Sequence, residues 1–164
     1  MKYAIVWLLM LGLAVSVRAG ETVHKVPLID PGTGTFYVAS RLDGELTVPM
    51  LVDTGASFSS IGREVLERLQ RRGQVDFVGE QQGRLADGRT ITVPLYRIRR
   101  LRIGDRCEVE NVQIAVFPTA DRAILGLNVL TRLSPFGIAT DPPRLILSGC
   151  RQETGNEPSL AAAP

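Results

Sequence analysis

Apolar residues along the chain fall into short runs broken by turn signals. "TVHKVPLI" (22–29), "FYVASRL" (36–42) and "ELTVPMLV" (45–52) read as strands. Asp43-Gly44, between the second and third, is a strong hairpin signal because both residues tolerate the positive φ of a tight turn. Gly32 to Thr35 in "DPGTGT" predicts a plain turn, since the Lys and helix start of a phosphate loop are missing. A second hairpin follows from "QQGRLA", Asp87-Gly88 and "RTITVPLYRI". Further strands are predicted at Leu101 to Ile103, Cys107 to Phe117 and Leu145 to Leu147. Ile61, Val65, Leu66 and Leu69 recur at helical spacing with Arg63, Glu64, Glu67 and Arg68 outside them, which predicts a helix from Gly62 to Arg72 that Gly73 ends. A shorter helix is expected from Leu127 to Leu133, after "AILG". The fold class is all-β, mostly strands with two short helices.

Both ends differ from this pattern. Lys2, the apolar stretch Ala4 to Val17, and the small residues Val17 and Ala19 before Gly20 read as an export signal over residues 1–19. The stretch is shorter than the about 20 residues that a bilayer-spanning helix needs. No stable membrane span is therefore expected after cleavage, and the location is exported, either periplasmic or secreted. Residues 151–164, "RQETGNEPSLAAAP", have few large apolar groups and read as a disordered tail. The domain proper is placed at residues 20–150, within the size range of a single core.

Charge changes the picture little. Loss of residues 1–19 removes Lys2 and Arg18 and no acid, so 19 basic residues become 17, against 17 acidic ones. Arg97, Arg99, Arg100 and Arg102 interleave with Ile98, Leu101 and Ile103, which is the pattern of a solvated strand face, and no nucleic-acid partner is expected. Cys107 and Cys150 leave three readings open: a disulfide within the chain, two buried thiols, or a bond between subunits.

The sequence has a single histidine, His24, near the expected mature start, where it reads as a surface strand residue. Ser-His-Asp and Cys-His sites and histidine-rich metal centres are poor fits without another; no metal and no cofactor are expected. A carboxylate is left as the reactive group. In "PMLVDTGASFSSIG", Asp53 follows directly on the buried run Met50-Leu51-Val52. Burying a lone charge costs several kcal/mol, so a second group must compensate. Two carboxylates sharing one proton do this, one acting as acid while the other acts as base toward water.

"LVDTGAS", the hairpin at "LADGRTITV" and "AILGLNVL" stand in the order found in the retropepsin-like aspartic proteases, and the chain resembles the bacterial exported members of that family over roughly Thr35 to Ser148. The resemblance implies a single-lobed acid-protease fold, a closed or partly open β-barrel. It implies a homodimer that hydrolyses peptide or protein substrates, with Asp53 as the catalytic acid from each subunit. Thr54 is expected to reach toward the partner, Gly55 to line the site, and Ala56 and Ser57 to complete the loop. Ile124, Leu125 and Gly126 would pack beneath that loop. Ala86, Asp87 and Gly88 would form the flap that closes over substrate. Where pepsin-like enzymes have a Ser that hydrogen-bonds the carboxylate, this chain has Ala56, so activity is expected at weakly rather than strongly acidic pH. Arg144 to Cys150 is the expected strand for interleaving at the dimer interface.

Two other readings compete. The same fold could hold a peptide strand in its cleft without cutting it, as a binding or assembly module. Asp53 could instead be a helix-capping acid, but Ser57, Ser59 and Ser60 lie nearer the helix start and would cap it first.

Overall fold

The structure, a computed structural model, describes residues 22–44, 46–85, 87–118 and 122–150. The expected leader and tail lie outside the described residues, as does Ala86. The hairpin predicted at Asp43-Gly44 forms: strand β2 (Tyr37–Leu42) turns into β3 (Leu46–Val52) with φ of 46° at Asp43 and 86° at Gly44. β3 then pairs in parallel with β8 (Ala123–Leu125), and Ser60 of β4 (Ser60–Gly62) sits antiparallel to Ile124 of β8. β4 runs parallel to β7 (Cys107–Phe117), and β7 antiparallel to β6 (Thr90–Ile103). The end of β6 returns to β2 and closes a barrel of six strands. Closure leaves no unpaired edge within the ring, which is how a small all-β protein avoids edge-to-edge aggregation.

Three strands extend this barrel on one side. β1 (His24–Ile29) pairs with β2 through Leu28 and Ile29, and then with β10 (Pro143–Leu147), which in turn pairs with β9 (Phe136–Thr140). β10 thus has both edges occupied within its own chain, which corrects the expectation that this segment is available to interleave with a partner. Its neighbour β9 had no sequence signal, because "FGIAT" is too short and too mixed to show a period. On the other side, β5 (Val75–Arg84) pairs with the first part of β6 and forms the other end of the strand order.

Residues 89–98 and 101–103, predicted as separate strands, form one, and the reason is a change of phase. Ile98, Leu101 and Ile103 are all buried while Arg99 and Arg100 are both exposed, so the inward side switches between Ile98 and Leu101. β7 switches opposite, at Glu110 and Asn111, where Asn111 takes φ 53°. Here β6 leaves β5 and joins β2. Asp43 holds this corner: its N–H donates to Arg100 O (2.9 Å), and its Oδ1 accepts from Arg100 N (2.7 Å). Arg97, Arg99 and Arg100 are solvated as their pattern predicts, whereas Arg102 is half-buried and paired with Glu108.

The helical region is shorter than predicted. Helix α1 is Arg63–Gln70, with Leu66 and Leu69 buried, whereas Ile61 belongs to β4. Gly62 occupies the N-cap and no side chain caps the helix, so the serines that sequence reading placed there do other work. The second helix, α2 (Leu127–Leu130), continues as a 3-10 turn over Thr131–Leu133. Cys107 and Cys150, both buried, are joined in a disulfide with a sequence separation of 43. Closing a loop of that size removes unfolded-chain entropy worth on the order of 4 kcal/mol. His24 is half-buried with its Nε2 out of solvent, not the surface residue expected.

Asp43 also gives the fold a pH dependence. Burial pushes its carboxyl above the ordinary range, against the opposing pull of the Arg100 and Arg99 backbone N–H groups and their charges. Its Oδ2 is buried without a partner, as is Oε1 of Gln74, whose Nε2 reaches Asp43 O. The native state therefore keeps this proton to higher pH than the unfolded chain does. The resulting stability is fully present below the unfolded value and is lost as pH rises through the native one. Asp43→Asn keeps the acceptor for Arg100 N without the titration. Urea unfolding of both proteins from weakly acidic to neutral pH should show the wild type losing stability relative to the variant as pH rises.

Candidate active site

Asp53 is where two parallel neighbours, β3 and β8, end together. Val52 pairs with Leu125, and Asp53 N then donates to Leu125 O at 3.1 Å. Past this point the chain turns tightly. Gly55 N donates to Asp53 Oδ1 (2.8 Å) and Ala56 N to Asp53 O (3.3 Å), so the carboxylate is held by its own loop. A Cβ on Gly55 would stand 3.2 Å from that same Oδ1, which leaves little room for any side chain there. Asp53 is half-buried, so the single chain bears less desolvation cost than a fully buried acid would. Thr54, Gly55 and Ser57 are exposed, and Ala56 is half-buried.

The loop is fixed from below by the start of α2. Ala56 O accepts from Leu127 N (2.8 Å) and Ser57 O from Asn128 N (3.1 Å). Asn128 Oδ1 accepts from both Ser59 N (2.7 Å) and Ser59 Oγ (2.9 Å), while Asn128 Nδ2 donates to Gln113 O (2.8 Å). Ser59 Oγ in turn accepts from Gly126 N (3.0 Å). Every polar atom of this buried link has a partner, the condition under which such a network rigidifies a core. Gly126 is required by space, since a Cβ there would lie 2.6 Å from Phe58 C and 2.8 Å from Ala56 O, both backbone atoms.

Residues 38–129 match the Aspartyl protease family. The chain belongs to this family. The aspartyl protease fold here is retropepsin-like: a solved retropepsin-like aspartic protease from Rickettsia conorii superposes with a TM-score of 0.57 at 21% identity, over 79% of this chain and 94% of that one. No curated protein matches the sequence.

In this aspartyl protease the segment 124–126 lies against the Asp53 loop. Ile124 and Leu125 belong to β8, beside β3, and Gly126 lies directly under the loop. Asp87 and Gly88 lie at the tip of the β5–β6 hairpin, closed by Leu85 N to Arg89 O (2.8 Å). The Arg89 N–H and guanidinium bond the Asp87 carboxylate and hold it below its usual range. No residue of β5 is buried, so the distal hairpin stands off the barrel. Its base is tied in through Val93, Leu95 and Ala115, on which both Ile91 of the hairpin and Phe58 of the Asp53 loop pack.

Sequence reading missed Ser59, Asn128 and Phe58. Asn128 carried a usable signal, since a polar residue inside the apolar stretch "AILGLNVL" must find partners once buried. Replacing it tests the link: Asn128→Ala leaves Ser59 N–H and Gln113 O without their partner. Each such group costs about 1–3 kcal/mol, which should lower the urea midpoint with the slope unchanged. Gly126→Ala forces a backbone clash and should destabilise by a similar amount, about 1–3 kcal/mol in the same measurement.

Proposed function

We propose that this aspartyl protease is an endopeptidase that works as a homodimer, with Asp53 of each subunit forming the reactive pair. The observation that supports this reading is the Asp53 loop itself: a tightly held, half-exposed carboxylate at the end of β3, occurring once per chain. One carboxylate can take a proton from water or give one to a carbonyl, but concerted attack on an amide needs both at once. In a pair sharing a single proton, the ionised member removes the proton from water as its oxygen attacks the peptide carbon. The protonated member gives its proton to the carbonyl oxygen. Collapse of the tetrahedral species breaks the C–N bond, with a proton passing to the leaving amine. Thr54 would face the partner loop, and Asp87 and Gly88 would sit at the tip of the hairpin that covers the substrate. Among the described strands only β9 and β5 end the order, so a strand-edge contact between subunits would fall on one of these rather than on β10.

Asp53→Asn keeps the Gly55 N–H acceptor and removes the titrating group. Cleavage of a denatured protein substrate should fall by at least about 100-fold while the circular dichroism spectrum stays native. Undiminished cleavage in that variant sinks the assignment, and a native dimer that never cleaves supports the peptide-binding reading instead. Activity per chain should rise with protein concentration until the solution mass reaches twice that of the chain. With Ala56 beside the pair, the pH profile should peak at weakly acidic pH; a maximum at strongly acidic pH in a protein that stays folded would contradict it.

A further inference from the structure

Away from the Asp53 loop, the topology gathers the only histidine and both cysteines at one place. β10 runs antiparallel to β1, so His24 lies opposite Leu147, just before Cys150. The β6–β7 turn, which leads into Cys107, is held beside β1: Gly104 N donates to Ala39 O of β2, and Gly104 lies against the Val26 side chain of β1. As a result an imidazole nitrogen of His24 and the sulfurs of Cys107 and Cys150 all lie within 4.8 Å of one another. His24 Nε2 is buried and has no hydrogen-bond partner. Such a group costs stability unless something occupies its lone pair or takes its proton, and neither the barrel nor the Asp53 loop uses it. A cleft of about 250 Å³, lined by His24 and Cys107 and by the charged residues Lys25, Asp105 and Arg106 among others, opens beside it.

We propose that when the Cys107–Cys150 disulfide is reduced, the two thiolates and His24 form a binding site for a zinc-class divalent cation. In the oxidised protein the sulfurs are bonded to each other, and the thiolate, the form that ligates metal, is absent. A dithiol reductant delivers two electrons and two protons, the S–S bond breaks, and the reductant leaves as a cyclic disulfide. Binding the cation then releases both thiol protons. Around tetrahedral zinc, with bonds of about 2.3 Å to sulfur and 2.0–2.1 Å to nitrogen, ligand atoms stand roughly 3.5–3.8 Å apart. The three groups already lie within 4.8 Å of one another, and once the disulfide is reduced the two sulfurs have to part to about that spacing. The cleft beside these three groups leaves room for a water as the fourth ligand. Either state, disulfide or metal, ties the start of β7 to the segment after β10.

The test uses the full chain, reduced by a dithiol that is then removed without air, with cobalt(II) as probe and zinc(II) as competitor. Reduced wild type should take up one cobalt per chain with thiolate-to-cobalt charge-transfer absorption, displaced by zinc, and the oxidised protein should show none. His24→Ala, in which the disulfide and fold remain, should bind at least about tenfold more weakly once reduced. Absence of the absorption in reduced wild type, equal binding by His24→Ala, or equal binding by the oxidised protein each overturns the proposal. Should reduction unfold the chain, zinc must restore the native circular dichroism spectrum in wild type and not in His24→Ala. Failure to do so overturns it equally.

Discussion

The Asn128 side chain is the joint on which the Asp53 loop depends. Its amide bonds Ser59 on one side and Gln113 on the other, so α2, β7 and the segment before β4 meet in one planar group. Ser59 Oγ passes the connection on to Gly126 N, and the backbone of Gly126 passes directly beneath Ala56 and Phe58. An amide suits this place because it accepts and donates at once, in directions fixed by its plane. With these bonds in place, the strand ends at Asp53 and Leu125 cannot separate without breaking several satisfied buried groups together.

A second constraint sets the shape around that joint. β6 must serve two neighbours, β5 along its first part and β2 at its end, and Asp43 secures the change with one backbone and one side-chain bond to Arg100. The same strand carries Ile91, Val93 and Leu95 toward Phe58. The hairpin is thus held on its β6 side, where apolar side chains join it to the Asp53 loop, while β5 is exposed or half-buried along its length.

Much of this arrangement was legible in the residues. Asp43-Gly44 and Asp87-Gly88 marked both hairpins because positive φ is a local requirement that few residue pairs meet. "LVDTGAS" and "AILG" marked the Asp53 loop and β8, which the fold places side by side. Of the strands that escaped notice, β4 and β8 are three residues long, so no period can show in them, and their pairing is fixed only by contacts distant in sequence. Ile61 was misassigned for the same reason: an apolar residue next to a helix shares its spacing whether or not it shares its hydrogen bonds. The serines after Asp53 resembled helix caps because Ser is a good cap, but the partner that claims Ser59 is Asn128, far along the chain. That β10 is enclosed between β1 and β9 likewise depended on a strand without a local signature.

The distance along the chain between Ser59 and Asn128, 69 residues, bears on when the site comes into being. Contacts of that span form late, after the intervening chain has been brought to order. A chain in which that contact is not yet made lacks the support that Asn128 and Ser59 give the Asp53 loop. The form of the Asp53 loop is thus a property of the completed barrel and not of the local sequence alone.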